Sequence, residues 1–169
     1  MNNKQCAGKP IAAGGFGCVF EPSLKCKNNT QNVPNGISKL MTKRDVTKEF
    51  SEFKRVIKFT KEIPNNSNYF LLSGIKKCDS LKPLTKNDLS DFDNTCTNLT
   101  RLNYSDTNVN TNLGKLASIN MPFGGPDLDA YWNTHFISKS KTKTKDNFIN
   151  TNNSLIRLLK NAIIPLNKK

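Results

Sequence analysis

The residues of this chain whose types and spacing suit phosphate binding lie near its N-terminus, in the segment IAAGGFGCVF at 11–20. Gly14, Gly15 and Gly17 cluster between two apolar runs, which predicts a turn that joins two strands. A hairpin tip without side chains lets backbone N–H groups approach the phosphates of a nucleotide. The alternative is a glycine-rich turn that binds nothing, because glycine patterns of this kind are common.

The segments that follow predict the elements that would position this turn. Residues 37–41 are a short strand-like run, so strand, turn, strand is the expected arrangement of 11–41. Residues 43–62 carry apolar residues at three- and four-residue steps, which predicts a helix capped by Thr42 or Asp45. Further along, the patterns predict a strand at 69–75 and helical segments at 88–101, 128–132 and 154–166, the last capped by Ser154.

The chain is strongly basic, with 26 Lys and Arg against 13 Asp and Glu and a formal net charge of +13. Such a charge attracts phosphate-rich partners such as nucleotides, nucleic acids and acidic protein surfaces. The low-complexity segment 138–145 contains Lys139, Lys141, Lys143 and Lys145 and is expected to be a flexible loop. Without interleaved aromatic residues, this loop predicts non-specific, salt-dependent contact with nucleic acid.

The cysteines and the apolar runs indicate a compartment. Five cysteines, an odd number, occur without a CxxC pair, which argues against a disulfide framework and against a zinc ribbon. The N-terminus lacks the apolar core of a signal peptide, and no apolar run approaches the ~20 residues of a membrane span. We therefore expect reduced thiols, a cytoplasmic, intracellular location and no membrane partner. No cluster of metal-ligating residues is visible, so no metal site is expected.

In the order of its motifs, the chain resembles the N-terminal lobe of protein kinases. Residues 11–20 resemble the glycine-rich loop G-x-G-x-x-G-x-V, with Ala12 in place of the first glycine. Lys39 stands where the family has the lysine of its V-A-I-K strand, and the helix predicted after it follows the family order. The string INMPFGGPDL at 119–128 is similar to the kinase hinge.

The resemblance covers roughly residues 9–169 and is weakest in a polar insert at 78–112. The insert, together with the strings ISKLM and NMPFGGPDL, makes the chain look most like the serine/threonine kinases of giant viruses. If the chain is viral, the location this implies is the host cytoplasm or the virion.

The resemblance implies a set of residues around ATP. Lys39 would bind the α- and β-phosphates and pair with a glutamate of the next helix. Glu49 and Glu52 are both candidates on nearly one face of that helix, and we favour Glu49 because core-facing apolar residues flank it. Solvated positions on the helix are the alternative for both glutamates.

The hinge string adds contacts to the adenine ring. Val19 would cover the ring, and backbone groups near Met121 and Phe123 would hydrogen-bond its edge, since Pro122 has no N–H to donate. An ordinary loop between strand and helix is the alternative. The residues expected to contact ATP are Ile11, Ala12, Gly14, Gly15, Phe16, Gly17, Val19, Lys39, Met121 and Phe123.

The implied fold is α+β, a kinase-like N-lobe with a small antiparallel sheet of about five strands and one packed helix. Residues 1–121 would form this lobe, with the insert at 78–112, and residues 122–169 the hinge and the start of a C-lobe truncated before the catalytic loop. Part of the apolar face of helix 154–166 is then expected to be exposed.

The chain departs from the family in its catalytic motifs. Neither H-R-D-x-x-x-x-N nor D-F-G occurs, and His135, the only histidine, is followed by Phe136 and Ile137. We therefore expect the ATP-binding portion of a serine/threonine kinase that is inactive alone. Mg²⁺ is expected only with a complete C-lobe, which would be missing or separately encoded, and the protein substrate is unknown. The alternatives are a basic nucleic-acid-binding protein and a regulatory stand-alone lobe.

Overall fold

The computed structural model describes the backbone of residues 8–137 and 141–168, and the side chains of the same residues except 141–144. The chain divides into two units. The first comprises Met1–Lys54 and Leu72–Phe123, and the second comprises Arg55–Leu71 and Gly124–Lys169.

The first unit contains a five-stranded sheet in the order β1-β2-β3-β5-β4, and every neighbouring pair is antiparallel. The expected α+β class with a small antiparallel sheet is therefore confirmed. The strands are β1 Lys9–Gly14, β2 Gly17–Glu21, β3 Gly36–Thr42, β4 Lys76–Cys78 and β5 Leu116–Pro122.

The register of the strands places one row of residues on a single face of the sheet. Ala12 pairs with Val19, Val19 with Lys39, and Lys39 with Ile119. Because side chains alternate between the two faces of a strand, directly paired residues lie on the same face. We call it the α1 face, after the helix that packs on it.

The helix predicted at 43–62 is present as α1, Lys43–Thr60. Thr42 caps its start: the Asp45 N–H donates to Thr42 Oγ1, and the Thr42 hydroxyl donates to Asp45 Oδ2. Val46 is fully buried, and Phe50 and Phe53 pack beside it. The residues under this part of α1 are Met41, Ala117 and Ile119, with Ile75 and Met121 at the margin.

The opposite face of the sheet is covered by the segment between β4 and β5. This segment comprises residues 79–115, overlaps the polar insert predicted at 78–112, and is called the insert from here on. It contains two short helices, α2 Phe92–Thr95 and α3 Thr97–Thr100, both of which pack against β1 or β2. The larger core of this unit lies here. Its fully buried members include Cys18, Phe20, Leu40, Leu99 and Leu116.

Four cysteines form two disulfides, so the prediction that their thiols are reduced is wrong. Cys18 is bonded to Cys96, with Cα atoms 5.0 Å apart, and Cys26 to Cys78, with Cα atoms 5.8 Å apart. The partners lie 78 and 52 residues apart in sequence. Local cysteine spacing carries no signal for such pairs, because tertiary packing brings them together. Cys96 lies in the insert, which docks on the sheet, whereas Cys78 lies in β4, the strand that pairs with β5 at the edge of the sheet. Cys6 lies outside the described residues.

The strand predicted at 69–75 is also wrong. The strand in this region is β4, and it pairs with β5 through Lys76, Lys77 and Cys78. The preceding run ends in a turn at Gly74, whose φ of +84° lies outside the extended region. An apolar run predicts burial, but it does not by itself distinguish a strand from a packed loop.

The C-terminal part of the second unit, which follows β5 in the chain, consists mainly of helices. The helix predicted at 128–132 is α4, Leu128–Trp132. The helix predicted at 154–166 begins earlier, as α5 Lys141–Leu158, and continues through a π-helical segment into α6 Ile164–Asn167. The expected flexible loop is therefore wrong from residue 141 onward.

Ser154 is not a helix cap but lies inside α5, where its hydroxyl donates to the Asn150 carbonyl at 2.8 Å. Part of the apolar face of the helix predicted at 154–166 is exposed, as expected. The exposed residues are Leu155, Ile156, Leu159 and Ile164. Within the described ranges, no helix has the length and apolar character that a bilayer span requires.

Candidate functional site

The glycine cluster forms the tip of the hairpin between β1 and β2. Gly14 pairs with Gly17, and Gly15 and Phe16 form the turn between them. A Cβ atom at Gly17 would lie 2.1 Å from the Leu40 carbonyl oxygen, so this position accepts no side chain. A Cβ atom at Gly15 would have nothing within 4 Å. The tip is thus open, whereas its base is closely packed against β3.

Lys39 projects from the middle of β3 and pairs with α1. Its Nζ lies 2.9 Å from Glu49 Oε1 and 2.6 Å from Glu49 Oε2. The side chains of Lys39 and Glu49 are 20% and 25% exposed, so the pair is largely but not wholly removed from solvent. Of the two glutamates on this helix face, Glu49 is the one that holds the lysine.

The hairpin backbone passes directly over Lys39. A Cβ atom placed on Gly14 would lie 3.2 Å from Lys39 Cε and 4.0 Å from Lys39 Nζ. A side chain at this position would press on the lysine stem, whereas glycine lets the loop and the ammonium approach each other. The structure therefore brings together two features that are separate in sequence, the glycine turn and the paired lysine.

Two other residues that were predicted to contact ATP lie on the α1 face with Lys39. Ala12 and Val19 are the neighbours of Lys39 in its row, on the side of the open hairpin. Ile11 and Phe16 are exposed, Phe16 with 64% of its surface accessible. Small and branched apolar side chains beside a fixed ammonium provide a surface for a flat ring next to a site for an anion.

The two hinge residues lie at the end of β5. Met121 pairs with Ile37, is half-buried and packs at the margin of the apolar cluster under α1. Phe123 follows the strand and is exposed. Asp127 then caps α4, accepting a hydrogen bond from the Ala130 N–H at 2.7 Å. The GGPDL string is therefore a strand-to-helix connection. This accounts for Gly125, whose φ is +87°, and for Asp127, whether or not a ligand binds.

A small pocket adjoins the lysine–glutamate pair. It has a volume of about 180 Å³ and is lined by Phe16, Asp45, Lys48, Glu49 and Glu52. Pockets for small-molecule ligands usually measure about 300–1,000 Å³, so this one is too small for a nucleotide. Among the described residues, no group of three His, Cys, Asp or Glu side chains is arranged to hold a metal ion.

Sequence reasoning missed two residues that contact the hairpin from the insert. Asn98 Nδ2 donates a hydrogen bond to the Gly14 carbonyl, and Cys96 is bonded to Cys18. Asn98 and Gly14 are 84 residues apart. The sequence contains no signal for Asn98, since asparagine is abundant throughout the chain.

The structure describes only part of the basic segment. Lys139 and the side chains of Lys141 and Lys143 lie outside the described residues, and Lys145 is exposed on α5.

Comparison with known proteins leaves the family of the chain open, because no family model, curated protein or solved structure matches it.

Proposed function

We propose that the first unit binds ATP on the α1 face of its sheet, as the ATP-binding portion of a serine/threonine-kinase-like domain. The observation that carries this proposal is the Lys39 ammonium, which both oxygens of Glu49 hold directly beneath Gly14. A lysine fixed in this way beneath a glycine turn suits a polyphosphate, because the ammonium and the backbone N–H groups of the turn favour negative charge together.

The remaining residues of the proposal have separate roles. The ammonium of Lys39 neutralises the α- and β-phosphates, while Gly15 and Gly17 contribute N–H donors without side chains in the way. Val19 and Ala12 pack against the adenine ring. Backbone groups near Met121 and Phe123 hydrogen-bond its edge.

The proposal for this chain is limited to binding and positioning the nucleotide. Transfer of the γ-phosphoryl group requires Mg²⁺ ligands and a residue that orients the substrate hydroxyl, in addition to the lysine and the glycine loop. The motifs that supply them in kinases, H-R-D and D-F-G, do not occur in the sequence. The kinase assignment therefore applies to a complete domain, in which a C-lobe holds the metal and the protein substrate.

The test is a titration of ¹⁵N-labelled protein with ATP, followed by NMR shifts and by calorimetry. We expect a dissociation constant nearer 1 mM than 1 μM, that is, a binding free energy of about −4 kcal/mol. Lys39→Ala should weaken binding at least about fivefold, which corresponds to about 1 kcal/mol. Shifts should concentrate at 12–19 and 121–123.

A matched control distinguishes a site from diffuse attraction to a basic protein. Lys77 of β4 pairs with Ile119 of β5 and so lies in the same row as Lys39. Its Nζ forms an ion pair with Asp79 Oδ1 at 2.9 Å. Lys77→Ala removes the same charge from the same sheet and should leave ATP affinity within about twofold. Equal losses in the Lys39 and Lys77 variants would refute the proposed site.

The net charge of +13 favours a second candidate, non-specific binding of nucleic acid. This binding should weaken steeply with salt and should be unchanged in Lys39→Ala. It should weaken when Lys139, Lys141, Lys143 and Lys145 are replaced together by alanine. ATP binding has the opposite dependence on the two variants, so a salt-titrated binding assay with single-stranded DNA and with ATP separates the candidates.

A further inference from the structure

The insert reaches the glycine hairpin at two points that flank its tip. On one side, Asn98 Nδ2 donates a hydrogen bond to the carbonyl of Gly14, the last residue of β1. On the other side, the Cys18–Cys96 disulfide bonds the start of β2 to the residue that precedes α3. Since Cys96 and Asn98 are two residues apart, one short stretch of the insert holds both strands of the hairpin at its base.

This stretch is itself fixed to the body of the first unit. Phe92 and Leu99, on either side of it, are buried in the core, and the Phe92 ring lies 6.2 Å from that of Phe20. Elsewhere in the insert, Asn110 makes two hydrogen bonds to the backbone of Leu84, at 2.8 and 2.9 Å. The insert is therefore an anchored support and can hold a neighbouring loop in place.

The hydrogen bond from Asn98 has a consequence for the next residue of the loop. The peptide group that joins Gly14 to Gly15 is planar and trans, so its C=O and N–H point in opposite directions. With the Gly14 carbonyl held by Asn98, the Gly15 N–H points away from the insert. Glycine rotates its peptide planes more freely than any other residue, and the loop has glycine on both sides of this plane.

We propose that Asn98 is a positioning residue for the glycine loop, with the Cys18–Cys96 bond as its anchor. By fixing the Gly14–Gly15 peptide plane, it presents the Gly15 N–H to a phosphate over Lys39. The base of the loop and the Gly15 amide are thus fixed, whereas the exposed Phe16 side chain at the tip can adapt to the ligand. This role rests on the proposed nucleotide binding.

The buried position of the anchor makes it a lasting constraint. Cys18 and Cys96 are both 0% exposed, so a reductant reaches the bond only if the insert opens. The contribution of this bond to loop order is therefore tested with a variant that lacks both cysteines, and not by adding a reductant.

The first measurement is ¹⁵N relaxation of the Gly15 and Gly17 amides in Asn98→Ala and Asn98→Asp. The aspartate keeps the size of the side chain but replaces its donor with an acceptor that faces the Gly14 carbonyl. We expect order parameters near 0.85 in the wild type and below about 0.6 in both variants. Asn94→Ala is the matched control for Asn98→Ala, because Asn94 is exposed in the same part of the insert and bonds Asp91 instead. It should leave both order parameters unchanged.

The second measurement is ATP affinity in the same samples, with thermal unfolding as a check that each variant is folded. We expect the dissociation constant to rise about threefold to tenfold in both Asn98 variants and to stay within about twofold in Asn94→Ala. A Cys18→Ala/Cys96→Ala protein should lose loop order as well, whereas Cys26→Ala/Cys78→Ala should keep it. The latter variant loses a bridge that does not involve the hairpin.

The outcomes separate the two proposals. Unchanged order parameters in both Asn98 variants overturn the positioning role, whatever the ATP affinity of the wild type. A mobile loop with unchanged ATP affinity also overturns it, because the loop is then not positioned for the nucleotide. No ATP binding by the wild type, together with loss of loop order in the variants, overturns the proposed function and leaves Asn98 as a structural contact only.

Discussion

Lys39 and Glu49 face each other across the packing of α1 on the sheet, with Nζ 2.9 and 2.6 Å from the two carboxylate oxygens. The lysine comes from the middle of β3 and the glutamate from the second turn of α1. The pair forms only when the apolar side of the helix, at Val46 and Phe50, is seated on the strands. It therefore links the orientation of the helix to the position of the ammonium under Gly14.

The first prediction concerns this pair. Glu49→Gln should raise the dissociation constant for ATP about threefold to tenfold, because Lys39 is no longer held beneath the turn. Its effect on the free energy of unfolding should be about 1 kcal/mol or less, since the pair is partly exposed. Glu52→Gln is the matched control, and its ATP affinity should equal that of the wild type. Calorimetry and urea unfolding test both variants, and equal ATP affinities for the two would contradict the prediction.

The second prediction compares two glycines of the hairpin. Gly17→Ala should lower the free energy of unfolding by about 2–3 kcal/mol, because its Cβ atom would lie 2.1 Å from the Leu40 carbonyl oxygen and 2.4 Å from Met41 Cγ. Gly15→Ala meets no atom within 4 Å, and it should change stability by less than about 1 kcal/mol. Urea unfolding measures both. A harmless Gly17→Ala would show that the hairpin base is not packed against β3 as described.

The third prediction concerns the cysteines. Peptide mapping of the unreduced protein should show Cys18 linked to Cys96 and Cys26 linked to Cys78. Because each bond closes a long loop of the unfolded chain, replacing either pair by alanine should lower the free energy of unfolding by about 2–5 kcal/mol.

Cys6→Ala is the control for these variants, because neither bond involves it, and it should leave stability unchanged. The protein should be purified without reductant, and thiols should be counted after unfolding. Five titratable thiols in the unfolded, unreduced protein would contradict both bonds, and so would a linkage of Cys18 to Cys26.

The fourth prediction concerns Asp88 in the insert, which is almost fully buried and whose Oδ1 has no hydrogen-bond partner. Burial raises the pKa of this carboxyl, although hydrogen bonds from Thr85 and the charge of Lys25 act in the opposite direction. The folded protein therefore binds this proton more tightly than the unfolded chain does. The contribution of Asp88 to stability is then greatest below its unfolded pKa of about 4 and is lost as the pH rises through the raised pKa.

Asp88→Asn should accordingly flatten the fall in stability as the pH rises from about 4 toward neutrality, while it keeps an acceptor for the Thr85 N–H. Asp91→Asn is the contrasting variant. Hydrogen bonds from Asn94 and Thr95 lower the pKa of Asp91, so its contribution is present above the unfolded pKa and is lost as the pH falls. Urea unfolding at several pH values tests both signs. An identical pH profile for wild type and Asp88→Asn would contradict the assignment.

Elements whose signals are local could be predicted from the amino-acid sequence. The glycine cluster predicted the hairpin of β1 and β2, and the three- and four-residue steps predicted α1. Thr42 and Asp45 were the two candidate caps, and Thr42 is the residue that begins the helix. Each depends on neighbouring residues only, because a turn, a helical period and a cap are set within a few positions. The same locality explains the errors. The run at 69–75 is apolar without being a strand, and the lysine-rich segment at 138–145 is helical from 141 onward.

Contacts between residues that are distant in sequence could not be predicted in this way. Glu49 and Glu52 were both candidates on nearly one helix face, with Glu49 favoured by its apolar neighbours, and the seating of α1 on β3 makes Glu49 the partner of Lys39. Asn98 and Gly14 meet because the insert docks on the face of the sheet opposite α1. The same docking brings Cys18 to Cys96. Contacts across such separations depend on the burial of whole elements, which a local pattern of residue types does not encode.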